Sequence, residues 1–266
     1  MILDEMKALK QQYGYSNLTI SEKSGVPFST VQKVFGGSSS PRQSTLEKLQ
    51  KAFVLREESH YTEGSSAISS DDGIPVKKDG EYTLDDYYAL PEERRVELID
   101  GVFYDMATPT KIHQTILAKL HLLFANEIAR RKGPCRVFLS PSDVQLDGDN
   151  RTMLQPDLFI LCKKEQQQEI KKTTGAPDFV VEILSPSTRR KDMVLKLNKY
   201  LNAGVREYWI VDPKTRKVMT YDLTDELIMK TYDFSETIPV GIYDGKIKIP
   251  FSEVLAELVD IFGEDF

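Results

Sequence analysis

Three carboxylates stand where carboxylates are costly. Glu97 lies in RRVELIDG, Asp157 follows Pro156 and opens the apolar run LFIL, and Glu182 interrupts DFVVEILSP. An acid in an apolar strand must be paired, solvated or bound to a metal. Two carboxylates on neighbouring strands can hold one Mg²⁺, with waters completing its octahedron. Such an ion acidifies a water and holds a phosphoryl oxygen. A lysine near that water helps to deprotonate it or stabilises the negative charge that develops. Each acid also has a plainer reading. Glu97 can sit at a strand edge and pair with Arg94 or Arg95. Asp157 can be a turn residue. Glu182 can face a partly exposed side of its sheet, but a sheet covered on both sides leaves it no such side.

These acids need elements to position them. Thr83 reads as an N-cap, with Asp86 at the third helical position, for a short helix ending near Leu90-Pro91. VELIDGVFYDM (96–106) reads as a hairpin around Asp100-Gly101. Residues 111–131 place Ile112, Ile116, Leu120, Leu123 and Ile128 at helical spacing, and the run ends at Lys132-Gly133. Short strands follow at 135–139, 157–161 and 178–184, then a helix over 189–202 that stops at Gly204. Residues 206–212 and 216–223 form a second hairpin across Pro213-Lys214-Thr215. Strand material near 228–233 and 246–249 and a closing helix over 251–262 complete the body. The expected fold is α/β, a mixed sheet flanked by helices and preceded by a small all-α domain. The divisions are 1–55, a flexible Ser-, Gly- and acid-rich linker over 56–81, and a body over 82–266.

Charge is unevenly spread over the chain, whose net value is -6. Residues 1–56 carry eight Lys/Arg against four Asp/Glu, so the excess of acid lies entirely in the rest. This fits a basic nucleic-acid-binding head on an acidic body. The acidic body argues against strong sequence-blind DNA binding, yet a metal ion would reverse the charge locally. No stretch approaches a membrane span, so no membrane partner is expected. The start MILDEMKALKQQ lacks a signal peptide's basic and apolar regions, which points to the cytoplasm. Cys135 and Cys162 read as reduced thiols there, and they do not cluster in sequence with His60, His113 and His121 as zinc ligands would.

The basic head carries its own motif in LTISEKSGVPFSTVQKVFGG (18–37). Leu18, Ile20, Val26, Val31 and Val34 can form the inward face of two short helices. Gly25 would take positive φ at the turn between them, and Pro27 suits the first turn of the second. That helix displays Phe28, Ser29, Thr30, Gln32 and Lys33. Ser, Thr and Gln side chains reach base edges, and lysine reaches phosphates. Residues 1–55 resemble the helix-turn-helix of the Cro/repressor family, with TLEKLQKAF as a last helix. The alternative is a small helical interaction domain that never touches DNA.

In the body, YTLDDYYALP, VELIDG, His113, SPSDVQL, QPDLFI, PDFVVEILSPSTRRKD, Lys196, Tyr200 and AGVREYWIVDP occur in that order. Residues 82–223 resemble the Uma-type putative restriction endonuclease family, a branch of the PD-(D/E)xK nuclease superfamily. The resemblance implies a restriction-endonuclease-like fold and a metal-dependent phosphodiesterase acting on DNA, with Mg²⁺ as cofactor and Mn²⁺ as its substitute. Pro156-Asp157 corresponds to the PD, Glu182 to the (D/E), and Glu97 to an upstream acid that joins the metal site. This chain departs from the superfamily at the lysine, for Leu184 stands two residues after the acid. The resemblance assigns that role to Lys196 on the next helix. Asp192, Lys196 and Tyr200 are spaced to share one helical face, and Lys199 competes one turn on. His113 would orient a metal-bound water, although a lone helix histidine is commonly structural. Ser185-Pro186-Ser187-Thr188 can cap the helix that follows.

The expected function is therefore an Mg²⁺-dependent endonuclease cutting DNA, targeted by the N-terminal module and working as a homodimer. The alternatives are a DNA-binding transcriptional regulator whose nuclease-like domain is inactive, and a phosphodiesterase acting on RNA or a nucleotide. The N-terminal reading has its own check. Changing Gln32 and Lys33 to Ala should abolish sequence-preferring DNA binding in gel shifts; unchanged binding would mean that another surface reads the DNA.

Overall fold

The computed structural model describes residues 3, 6–7, 10, 17–36, 41–54, 73–146, 148, 150–185, 191–224, 227–264 and 266. It divides into a unit spanning Met1–Glu63 and a unit spanning Gly64–Phe266. In the first unit, α1 (Asn17–Ser24), α2 (Phe28–Phe35) and α3 (Gln43–Val54) enclose a small core of Met6, Ile20, Val26, Val31, Val34, Leu49 and Ala52. The α1–α2 turn passes through Gly25 at φ +66. Pro27 is the N-cap of α2, one position earlier than its fixed φ suggested. Ser29 and Lys33 are exposed, and Phe28, Thr30 and Gln32 are half-buried. The side chain of Leu18, as well as Gly37 and residues 186–190, lie outside the described residues.

The second unit opens on α4 (Leu84–Ala89), the hairpin of β1 (Val96–Ile99) and β2 (Val102–Asp105), and the long helix α5 (Lys111–Arg130). Then come β3 (Arg136–Leu139), β4 (Val144–Gln145), β5 (Leu158–Leu161), α6 (Lys164–Gln167), β6 (Thr173–Thr174) and β7 (Phe179–Ile183). A π-helical turn, Lys191–Lys196, runs directly into α7 (Leu197–Ala203). The chain ends with β8 (Glu207–Asp212), β9 (Lys217–Asp222), β10 (Ile228–Asp233), β11 (Thr237–Pro239), β12 (Lys248–Pro250) and α8 (Phe251–Phe262). Among the described residues, no helix is long and apolar enough to cross a membrane.

The central sheet has the order β10-β9-β8-β7-β5-β3. It is mixed, because β7 and β8 run parallel while their neighbours pair antiparallel. Strand alternation sorts its two faces. Val181, Ile183, Trp209 and Val211 join α5 and α8 in the main core, where Trp209 meets Phe124, Phe179 and Phe251 at ring separations of 5.7, 5.2 and 6.2 Å. Truncating such an aromatic to Ala costs about 3–5 kcal/mol. Glu182 and Tyr208 point to the other face, under the segment from Lys191 to Ala203. There the Tyr208 hydroxyl donates to the Asp192 carbonyl, and the Tyr200 and Tyr208 rings lie 4.9 Å apart. Both faces are therefore covered.

The β1–β2 hairpin turns on Asp100 and Gly101, at φ 52 and 76. A type I′ turn needs positive φ at both positions, which an Asp-Gly pair supplies. Gly101 also admits close backbone, since a Cβ there would lie 2.5 Å from the Gly80 carbonyl oxygen. Strand β1 is tied to residue 153 by a two-way backbone pair, Leu98 N–H to Met153 O at 2.9 Å and Met153 N–H to Leu98 O at 2.7 Å. This brings Glu97 beside the segment that leads into Asp157.

Two expectations need correction. Residues 73–81, read as linker, pack on the body: Ile74 is buried, and the Lys77 ammonium pairs with Asp86. Cys135 and Cys162, read as reduced thiols, form a disulfide. The antiparallel register that pairs Arg136 with Leu161 sets the two cysteines opposite each other, with 4.0 Å between their Cα atoms.

Asp86 does cap its helix from the third position. Its Oδ2 accepts from the Thr83 N–H at 2.8 Å, and Lys77 Nζ lies 2.6 Å away. Burial works to raise its carboxyl, but Lys77 and Thr83 outweigh that and hold it below the ordinary Asp value of 3.8. A depressed acid contributes stability above its unfolded pKa, and that contribution is lost as pH falls through the folded one. Asp86→Asn should therefore cost about 1 kcal/mol near neutral pH. In urea unfolding, the deficit should shrink as pH falls below about 4.

Candidate nuclease centre

A buried ammonium organises the candidate site. The π turn and α7 carry Lys196 over β7, where its Nζ lies 2.8 Å from Glu182 Oε1, 2.8 Å from Glu97 Oε1 and 3.4 Å from Asp192 Oδ1. All four side chains are buried, with Glu97 fully so. Glu182 Oε1 also accepts from the Tyr200 hydroxyl at 2.7 Å. Glu97 Oε1 accepts from the Gln155 backbone N–H at 3.1 Å, and its Oε2 lies 2.8 Å from Lys191 Nζ. Gln155 is held in turn, since its side chain donates to Asp143 and to the Tyr87 hydroxyl.

The two glutamates share Lys196 but are pushed in opposite directions. Burial pushes Glu97 up, yet the Lys196 and Lys191 ammonium groups outweigh it and bring its carboxyl down to about 2. Burial raises Glu182 well above the usual carboxylate range; Lys196 opposes this, while the charges of Asp192, Asp157 and Glu97 add to it. The second lysine explains the division, because only Glu97 has one. Burial would also neutralise Lys196, but Glu182, Glu97 and Asp192 hold it firmly protonated.

Asp157 stands beside this cluster at the start of β5. Its Oδ2 accepts from the Ile183 N–H at 2.7 Å and faces His113 Nε2 at 3.1 Å. His113 lies in the first turn of α5, where its N–H is capped by the Thr110 hydroxyl at 3.2 Å. An ionised Asp157 selects the tautomer protonated at Nε2. Nδ1 is then a bare acceptor, buried without a hydrogen-bond partner among the described residues. Glu97, His113, Asp157, Glu182, Lys191 and Lys196 all line one cavity of about 720 Å³. Exposed Arg95 and Lys214 stand on its wall.

The expected residues thus line one cavity; the plainer readings of Glu97 and Glu182 are not realised, while Asp157 does sit at a bend just before β5. Glu97 pairs with Lys191 and Lys196 rather than with Arg94, whose side chain lies 3.6 Å from Asp105. Lys199 is not at the site: it pairs with Asp100 in the hairpin turn at 2.5 Å. Sequence reasoning missed Lys191 and the Gln155 backbone contact. The signal for Lys191 was a spacing of five from Lys196, which a regular α-helix would not align.

Three carboxylates on one cavity are donors of the kind that suits magnesium, being hard oxygens. Their present contacts are with the protein, however. Glu97 and Glu182 close on Lys196, and Asp157 on His113 and Ile183. Among the described residues, no three His, Cys, Asp or Glu side chains are grouped as an ion's ligands.

No curated protein matches the chain. Among solved structures, it is similar to a putative nuclease belonging to DUF820 from Anabaena variabilis, at 23% identity and a TM-score of 0.57, over 66% of this chain and 98% of that one. That likeness is one of fold. The family model described as Uma2, putative restriction endonuclease, matches residues 84–241, more than half of the chain and every residue of the cluster. The chain belongs to the Uma2 family of putative restriction endonucleases.

Proposed function

We propose that this protein is an Mg²⁺-dependent endonuclease that hydrolyses DNA phosphodiester bonds. The observation that carries this reading is the meeting of Glu97, Asp157, Glu182, Lys196 and His113 on one cavity wall. Asp157, Glu182 and Glu97 would hold the ion, or Mn²⁺ in its place. When bound, it would supply an acidified water and charge for a phosphoryl oxygen. The chain's own groups do the rest. Lys196 balances the glutamates and fixes their spacing. His113, held through Nε2 by Asp157, lines the cavity and would orient the attacking water. Helices α1 to α3, with α2 presenting Phe28, Ser29, Thr30, Gln32 and Lys33, would target the enzyme to DNA as a helix-turn-helix. Cutting both strands is simplest for a symmetric homodimer, one site per strand. The proposed setting is the cytoplasm.

One observation favours a second reading. Glu97 and Glu182 are already engaged by Lys196, which is how an inactive nuclease-like domain serving a DNA-binding regulator would keep its acids satisfied. Supercoiled plasmid separates the two. Nicking is expected with Mg²⁺ or Mn²⁺, none with chelator, and a loss of at least about 100-fold in Asp157→Ala and Glu182→Ala. Nicking that persists in either variant would overturn the site assignment. No nicking by the wild type under any condition would favour the regulator.

A further inference from the structure

Lys191 and Lys196 are five residues apart. On an α-helix, at about 100° per residue, they would point well away from each other. The Lys191–Lys196 turn is π-helical instead, a local widening that recurs at functional sites. It aligns positions i and i+5, and both ammonium groups reach Glu97: Lys196 lies 2.8 Å from Oε1, and Lys191 lies 2.8 Å from Oε2. The bent helix therefore places two lysines side by side on one carboxylate.

Their surroundings differ. The Lys196 side chain is 4% exposed and enclosed by carboxylates: Nζ lies 2.8 Å from Glu97 Oε1, 2.8 Å from Glu182 Oε1 and 3.4 Å from Asp192 Oδ1. An ammonium so surrounded turns its donors to the protein's own acids rather than to a substrate. The Lys191 side chain is 12% exposed and lines the cavity. Among the described residues, Glu97 is its one carboxylate partner, and its Nζ lies 5.8 Å from the centre of the Tyr104 ring. Two of its protons are not directed at carboxylates.

We propose that Lys191, rather than Lys196, is the ammonium that meets the substrate's phosphate, while Lys196 is the buried counter-ion that holds the acids together. The inference rests on the nuclease reading for the identity of the substrate, a phosphodiester. Lys191 contacts a non-bridging oxygen of the scissile group and stabilises the charge that develops there. Glu97, clamped between the two lysines, keeps Lys191 at the cavity wall.

The test uses the full chain with Lys191→Met, which keeps the side-chain stem beside Tyr104, Lys191→Arg, which keeps the charge, and Lys196→Met. Three quantities are read: melting temperature, plasmid-cleavage kcat and KM, and the affinity of the dinucleoside monophosphate thymidylyl-thymidine by calorimetry. Lys191→Met should melt closer to the wild type than Lys196→Met does, because Glu97 keeps one ammonium, lose roughly 10²–10³-fold in kcat and bind the dinucleotide at least about 10-fold more weakly. Lys191→Arg should recover part of both losses. Lys196→Met should melt lower by roughly 10 °C, because it strands buried carboxylates. A Lys191→Met variant with wild-type kcat and wild-type dinucleotide affinity would overturn the proposal and leave the nuclease reading standing. If the wild type cuts nothing, the nuclease reading fails, and the binding arm decides alone: weakened dinucleotide binding in Lys191→Met upholds the phosphate contact, and unchanged binding overturns it.

Discussion

The buried Lys196 ammonium is the constraint on which the rest of this domain depends. Three carboxylates, each at most 3% exposed, close around it. Taking one such ion out of water costs several kcal/mol, and the cost is offset only when opposite charges and hydrogen bonds meet it at close range. The chain supplies those partners from three places. The β1–β2 hairpin brings Glu97, β7 brings Glu182, and the π turn brings Asp192 together with Lys196 itself. Residues far apart in sequence must dock at once, so the cluster fixes how the hairpin, sheet and helix sit together. Tyr200 and the Gln155 backbone N–H add one hydrogen bond each to Oε1 of Glu182 and Oε1 of Glu97.

The same arrangement makes the site electrically uneven. Glu97, between two lysines, is held charged, whereas Glu182, with one lysine and several acids nearby, is pushed toward its neutral form. Asp157 lies just outside, bound to a backbone N–H and to His113. The cavity is thus lined by ammonium groups, carboxylates and the His113 imidazole. A bound divalent ion would draw on carboxylates that protein cations now satisfy, so ion binding and the lysine cluster are coupled.

Much of this was legible in the sequence because the signals were local. A carboxylate in the middle of FVVEI is conspicuous without any structure. Asp100-Gly101 announces its turn, and Thr83 with Asp86 announces a helix start. The features that escaped depend on tertiary register or on irregular backbone. Choosing Lys196 over Lys199 required knowing that the hairpin turn would place Asp100 against Lys199. Lys191 was invisible to an argument that assumed a regular helical period, since only a π turn sets it beside Lys196. The disulfide needed the β3–β5 register, because nothing in the spacing of Cys135 and Cys162 says that they face each other. Residues 73–81 looked like linker by composition, yet Ile74 is buried, Lys77 pairs with Asp86, and the Gly80 N–H donates to the Gly101 carbonyl.

The most direct measurement is a double-mutant cycle between Glu182 and Lys196, read by urea unfolding of the full chain. Trp209, the sole tryptophan and fully buried in the body, makes its fluorescence a probe of that unit. Lys196→Met should lose about 3–5 kcal/mol, since it leaves buried acids without their counter-ion. The pair Glu182→Gln with Lys196→Met should lose at least about 1 kcal/mol less than the sum of the single losses, because each single change already breaks the hydrogen bond that the two groups share. Losses that add to within about 0.5 kcal/mol would contradict the account, for the two groups would then not depend on each other.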